Sequence, residues 1–253
     1  MTDLFSLEGM HILVTGGTRG IGRAIVTRFA QAGGSVIANY ARSDTSAAEL
    51  QQEADAAGYR VTTCRADVTT SKGLDHLTAV LDAKMPRISA FVHCAATGVH
   101  KSFDELTLRH FDWTYGLNVR AFFELVQRLL PRLDANASIL AISSEGATRA
   151  IPYYSLVGSS KGALESLARH LAVELAPRGI RVNVLSPGAV RTDAWTAIPD
   201  ADRRLADTAH RSPIGRLNTL DEVACAAQFL CSRAATGVIG QTLVVDGGLG
   251  IAR

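Results

Sequence analysis

Short apolar runs alternate with longer amphipathic stretches along this chain. Ile12-Leu13-Val14 and Leu243-Val244-Val245 are continuous, the pattern of strands covered on both faces. Runs at residues 11–15, 35–40, 60–67, 90–93, 138–143, 181–186 and 242–246 predict seven strands. Between them, residues 20–32, 45–57, 73–85, 108–133, 155–175 and 220–230 read as helices. Strands separated by helices imply parallel neighbours joined by crossovers. The predicted fold is therefore α/β: one doubly wound parallel sheet of about seven strands with helices on both faces. No linker, repeat or low-complexity segment divides residues 1–253, which read as one domain. Only residues 187–214 are irregular over a long stretch. They set Trp195, Ile198 and Leu205 among polar residues and are punctuated by Pro187, Pro199 and Pro213. An insertion after a late strand is where a substrate lid belongs.

Composition narrows the function classes. At 47% apolar, 253 residues can bury a large core. The net charge of +2 is spread without blocks of like sign, so neither nucleic acid nor a membrane surface is an expected partner. No apolar run approaches the roughly 20 residues of a membrane span. The opening residues Met1 to Ser6 lack a basic segment followed by an apolar one, so a cytoplasmic location is expected. Cys64, Cys94, Cys225 and Cys231 form no CxxC pair, and no His cluster has ligand spacing. Neither disulfides nor a metal is expected.

The first strand runs into Thr15-Gly16-Gly17-Thr18-Arg19-Gly20-Ile21-Gly22, which opens the first helix. Glycines there permit a tight turn and close approach to a pyrophosphate, and the helix start supplies unpaired N–H groups. The spacing T-G-x-x-x-G-x-G differs from the ordinary G-x-G-x-x-G fingerprint. It resembles the glycine motif of the short-chain dehydrogenase/reductase family, whose fold is of the Rossmann type. At the end of the second strand, an acidic residue would bind the ribose 2′-hydroxyl of NAD and repel a 2′-phosphate. Here the stretch is Asn39-Tyr40-Ala41-Arg42-Ser43. With Arg19 in the glycine loop, two guanidiniums and the Ser43 hydroxyl suit a phosphate, so NADPH/NADP is the expected cofactor.

The resemblance extends along nearly the whole chain. Asp67-Val68 is similar to the family's adenine-binding pair, and Asn118 to its structural and proton-relay asparagine. Gly188, Val190 and Thr192 resemble the loop that grips the nicotinamide carboxamide. After the fourth strand the family often has Asn-Asn-Ala-Gly, whereas this chain has His93-Cys94-Ala95-Ala96. Ala95 and Ala96 still allow close backbone approach.

The family's commonest catalytic set is a serine, a tyrosine thirteen residues later and a lysine four beyond. Ser144 and Lys161 fit, but the tyrosine position holds Val157. Positions seven apart on a helix differ by 700°, so Tyr154 shares a face with Lys161 to within about 20°, whereas Tyr153 points roughly 80° away. The displaced Tyr-x6-Lys pair resembles the bacterial enoyl-acyl-carrier-protein reductase branch, in its NADPH-using form. Tyr40-Ala41-Arg42-Ser43, Ala95-Ala96-Thr97-Gly98-Val99 and Asp112-Trp113-Thr114 add to that likeness. A ketoreductase protonates the oxygen beside the carbon receiving hydride. An enoyl reductase delivers hydride to the β-carbon of a conjugated thioester and must stabilise a more distant oxygen, so its donor moves too. Tyr154 is expected to donate to the enolate oxygen, and Lys161 to bind the nicotinamide ribose and acidify the tyrosine. Some enoyl reductases have a second tyrosine where this chain has Ser144, which becomes a helper.

Three readings follow. In the first, the chain reduces a 2-enoyl thioester on acyl carrier protein or coenzyme A, in fatty acid biosynthesis or related metabolism. The second is a carbonyl reductase of 3-ketoacyl groups or other ketones, and the third a non-catalytic dinucleotide-binding sensor or assembly subunit. The resemblance implies a homotetramer paired through the long helices.

Overall fold

The run Ile12-Leu13-Val14 becomes an interior strand, whereas Leu243-Val244-Val245, expected to be covered on both faces, lies in the edge strand of the sheet with Val244 exposed. In the computed structural model, which describes residues 3–192, 195 and 200–252, seven strands form one sheet. They are β1 (His11–Thr15), β2 (Ser35–Tyr40), β3 (Val61–Arg65), β4 (Ile88–His93), β5 (Leu133–Ile142), β6 (Arg181–Pro187) and β7 (Thr242–Val245). Their order is β3-β2-β1-β4-β5-β6-β7, and every pairing is parallel. The predicted doubly wound α/β fold is the observed one.

The two-residue repeat of a strand sends alternate side chains to opposite faces. Ile12 and Val14 join Ile25, Val26 and Phe29 of α1 (Gly20–Gln31), Leu50 of α2 (Asp44–Ala56) and Val223 of α8 (Leu220–Cys231). Leu13 joins the opposite cluster with Leu77 of α3 (Ser71–Lys84), Phe122 of α5 (Ala121–Leu129) and Leu164 of α6 (Ser155–Leu175). The sheet is thus covered on both sides. The chain winds outward in opposite directions from β1 and β4, and that reversal opens a crevice at the carboxyl ends of the strands.

Two further expectations change. The helix predicted over residues 108–133 is α4 (Leu108–Tyr115), a π-helical turn Gly116–Arg120, and α5. Pro131, which has no N–H to donate, follows the end of α5, and Leu133 already belongs to β5. Within residues 187–214, Ala201–Arg211 form a helix, α7, anchored by fully buried Leu205. Ile198 and Pro199 lie outside the described residues. No described helix is long and apolar enough to cross a membrane.

Candidate active site

The crevice is built where β1 and β4 end side by side. The Thr15 hydroxyl lies 3.1 Å from His93 Nδ1 and accepts from the Ala95 N–H at 3.3 Å, tying the two strand ends together. Gly16 takes φ +65°, and a side chain there would meet the Ala95 Cα at 2.8 Å. At Gly22 a Cβ would collide with the Gly16 carbonyl, so helix α1 packs directly onto the turn. The helix is preceded by Arg19 in extended conformation with no side-chain cap, which leaves first-turn N–H groups for an anion. Gly20, at φ +51°, faces Thr192, so the glycine turn and the second binding loop line one crevice. Thr18 is buried, Ile21 is half-buried and Arg19 is exposed at the rim. On the far side Gly188 backs onto Asp246, and buried Val190 bridges to Asn218.

At the other end of the crevice the chemistry is more constrained than the sequence suggests. Ser43 caps α2 by accepting from the Ser46 N–H at 3.3 Å, so its hydroxyl has a structural task. Asp44 places a carboxylate just past the stretch expected to lack one. Tyr40 donates to it at 3.0 Å and Arg65 at 2.8 Å, which neutralises it. Arg42 is exposed. Asp67 uses one carboxylate oxygen to hold the Thr69 N–H and hydroxyl, while the Val68 side chain is buried in the core. Val68 therefore offers a ligand its backbone rather than its side chain. Ala95 is half-buried and Ala96 exposed along the same wall.

The catalytic candidates come from four elements. Ser144, at the end of β5, begins a 3₁₀ turn and accepts from the Gly146 N–H. Tyr154 donates its hydroxyl proton to Ser144 Oγ at 3.3 Å. It is the residue before α6, with φ −120° and ψ 11°, so the helical phase shared with Lys161 applies only to its backbone start. Its side chain reaches the site by packing against Gly146. Tyr153 takes φ +63° and is 52% exposed, turned away from Ser144. Lys161 is buried in α6 and donates from Nζ to the Ile142 carbonyl at 2.8 Å. Asn118, inside the π-helical turn, accepts from the Thr97 N–H and donates to the Thr97 carbonyl and Ser160 Oγ, each at 2.9 Å. A π-turn at such a site is a frequent functional irregularity. Val157 is buried, and its Cγ2 presses on Gly98 so closely that a methyl group there would clash. The usual tyrosine position is thus filled by packed apolar side chain.

Comparison with known proteins agrees with this layout. Residues 16–250 match the family model described as Enoyl-(Acyl carrier protein) reductase. A 1-cyclohexenylcarbonyl-CoA reductase of Streptomyces collinus is 35% identical over 94% of this chain and 86% of its own. The 7alpha-hydroxysteroid dehydrogenase of Escherichia coli strain K12 is also 35% identical, over 98% of this chain and 96% of its own. Among solved structures, a gluconate 5-dehydrogenase from Burkholderia cenocepacia J2315 in complex with NADP and tartrate superposes with a TM-score of 0.90. It shares 29% identity, covering 99% of each chain. The chain belongs to the short-chain dehydrogenase/reductase family.

A short-chain dehydrogenase/reductase is an oxidoreductase that uses a nicotinamide dinucleotide, and the crevice fits one. Its glycines leave room that side chains would fill, and the free N–H groups of α1 suit a pyrophosphate. The electrostatics of this family member follow from burial. Lys161 is pushed down from 10.5 to about 8, with Cys94 and Glu165 partly opposing the effect. The Tyr154 hydroxyl is raised above 10 by burial, which Glu145 reinforces and the Ser144 hydrogen bond opposes. The expected acidification of the tyrosine by Lys161 is absent from that balance, because the ammonium is turned to Ile142. His93 is driven down to about 3 by burial and by Lys161. Its Nε2 has no well-formed hydrogen bond, the Leu117 carbonyl giving only a weak offset.

Several polar groups of the site escaped the sequence reading. Glu165 accepts from the Ser143 hydroxyl at 2.6 Å beneath the catalytic turn. Its place one helical turn after Lys161 was a signal available in the sequence. His100, whose ring centroid lies 5.4 Å from that of Tyr154, and Arg65 had no motif to mark them.

Proposed function

We propose that the chain is an NADPH-dependent enoyl-thioester reductase, which reduces the carbon–carbon double bond of a 2-enoyl thioester on acyl carrier protein or coenzyme A. One observation carries this reading. The Tyr154 hydroxyl stands beside Ser144, while the position three residues later is filled by Val157 packed on Gly98. The family model's description and the cyclohexenylcarbonyl-CoA reductase relative support it. Bound reduced nicotinamide supplies the hydride. Burial keeps Tyr154 protonated at neutral pH, so it donates a hydrogen bond to the enolate oxygen as charge develops there. Ser144 orients that hydroxyl. Lys161 would hold the nicotinamide ribose, Asn118 fixes the loop at Thr97, and residues 187–214 would close over the acyl chain. Arg19 and Arg42 favour the 2′-phosphate of NADPH, since the carboxylate just past the end of β2, Asp44, is occupied by Tyr40 and Arg65. The enzyme works in the cytoplasm as a homotetramer, in fatty acid biosynthesis or related metabolism.

A carbonyl reductase is the second reading, favoured by the contact between the Ser144 and Tyr154 hydroxyls, which could polarise a ketone. Rates with crotonyl and acetoacetyl thioesters, each with NADPH and NADH, separate the two. Reduction of crotonyl thioester with NADPH preferred is expected. Reduction of the ketone alone selects the carbonyl reading, and equal kcat/KM with both cofactors removes the NADPH assignment. A silent dinucleotide sensor would reduce neither substrate.

A further inference from the structure

The inner side of α7 carries a cation that no carboxylate among the described residues balances. Arg203 faces Asp207 and Asp202 pairs with Arg191 along the outer side of this helix. Arg204 differs. It precedes fully buried Leu205, is itself half-buried, and pairs with no carboxylate among the described residues. Its guanidinium lies 5.8 Å over the ring of Tyr153, which the positive φ of that residue turns toward α7. His100, from the loop after β4, lies near enough for its imidazole to feel the Arg204 charge. The imidazole lies tilted at 41° against the Tyr154 ring, is half-buried, and makes no hydrogen bond among the described residues. Burial and then the Arg204 charge hold it below 6.5, so it is neutral at pH 7 with one donor to offer.

Two elements thus bring unspent donors to one side of Tyr154, and one of them is permanently charged. A partly desolvated guanidinium is stabilised best by a planar acceptor that takes both of its parallel N–H groups. The acid nearest Tyr154, Glu145, interacts instead with Arg149, Asp246 and Arg211. We propose that Arg204 and His100 form a recognition site for a carboxylate carried on the acyl part of the substrate. Proximity favours this source of negative charge over the carrier's phosphate. The His100 ring centroid lies 5.4 Å from that of Tyr154, so an anion held by His100 would sit near the acyl end of the substrate, whereas the phosphate lies at the far end of a pantetheine arm. The substrate's thioester chemistry rests on the proposed function, but the anion site does not.

The test uses N-acetylcysteamine thioesters, which contain no phosphate. With NADPH, kcat/KM is measured for the crotonyl and 4-carboxybut-2-enoyl compounds and for crotonyl-CoA, with wild type, Arg204→Gln and His100→Leu. Each preference is a ratio within one preparation, so it does not depend on the fraction folded. Wild type is expected to favour the carboxylated compound by about tenfold or more, and Arg204→Gln to erase most of that, as for loss of a charge-assisted contact. His100→Leu should reduce it less. No preference in wild type, or one that survives in Arg204→Gln, overturns the proposal. So does a collapse confined to the ratio of crotonyl-CoA over crotonyl-N-acetylcysteamine, which would assign Arg204 to the carrier's phosphate. Calorimetric binding of the saturated 4-carboxybutanoyl and butanoyl compounds, with NADP present, needs no turnover. Carboxylate preference there without reduction of any enoyl thioester would keep this site and defeat the proposed function. Equal binding of the two compounds would defeat this site.

Discussion

Tyr154 and Lys161 are both groups whose hold on a proton is altered by burial. In the proposed mechanism the tyrosine is the acid-side donor, and phenylalanine at 154 would keep its packing on Gly146 while removing a single long hydrogen bond. Tyr154→Phe is expected to lower kcat by about 10²–10³-fold, like loss of one oxyanion donor, with Tm nearly unchanged. Tyr153→Phe, at an outward-facing ring, should cost far less. Steady-state rates with crotonyl thioester decide this, and full activity in Tyr154→Phe would sink the assignment. Lys161 titrates near 8 in the fold against 10.5 unfolded. Between those values the unfolded chain binds a proton that the folded chain does not. Stability therefore falls as pH drops from 10.5 to about 8 and stays lowered below it, by about 3 kcal/mol at most. Lys161→Met removes that cost together with the Ile142 hydrogen bond. The inactive variant should melt no lower than wild type at pH 7, and any advantage should shrink as pH rises past 8. A Tm well below wild type at pH 7 would contradict it.

At the scale of elements, the site depends on the loop after β4 pressing on the first turn of α6. Gly98 and Val157 form that contact, and Asn118 holds the neighbouring Thr97 from the π-helical turn. A methyl group at 98 has no space, so Gly98→Ala should destabilise by about 1–3 kcal/mol, the usual range for overpacking. Val157→Ala opens the space, and the double variant should recover part of that loss, giving a coupling of about 0.5–3 kcal/mol in denaturant melts. Strictly additive losses would mean that the loop moves freely away from α6. The π-turn itself was not legible. Residues 108–129 keep one helical period in sequence, and the π-turn lies where Asn118 is hydrogen-bonded to Thr97 and Ser160, contacts remote in the chain.

Across the whole molecule, apolar side chains remain uncovered on the surface of α4 and α5. Leu108, Phe111, Trp113 and Phe123 are all exposed, and Phe123 lines a groove with Tyr115, Val119 and Leu167. We propose that this apolar surface is where chains of the tetramer meet. Sedimentation should show four chains for wild type, and Phe123→Glu should release smaller species by placing a charge in the contact. A wild-type monomer at micromolar concentration would remove the tetramer.

The sequence by itself determined the sheet and the location of the crevice. Period and polarity are local properties: Ile12-Leu13-Val14 reads as a two-sided strand wherever it sits, and Gly16 to Gly22 admit a pyrophosphate because of what they lack. The limits of α6 were readable for the same reason, as was the loss of the usual tyrosine at Val157. Contacts between distant segments were decided only in three dimensions. Asp44 looks like an ordinary helix-start acid until Arg65, 21 residues on, neutralises it. Leu133 reads as the end of a helix, yet pairing with Ile88 makes it strand. His100 carries no motif, and its place beside Tyr154 follows from loop packing. The Lys161 pKa rests on burial, which one residue's neighbours in sequence cannot report. Periodicity encodes which face turns inward, whereas the groups that meet there, and the desolvation they share, follow from the packing of elements remote in the chain.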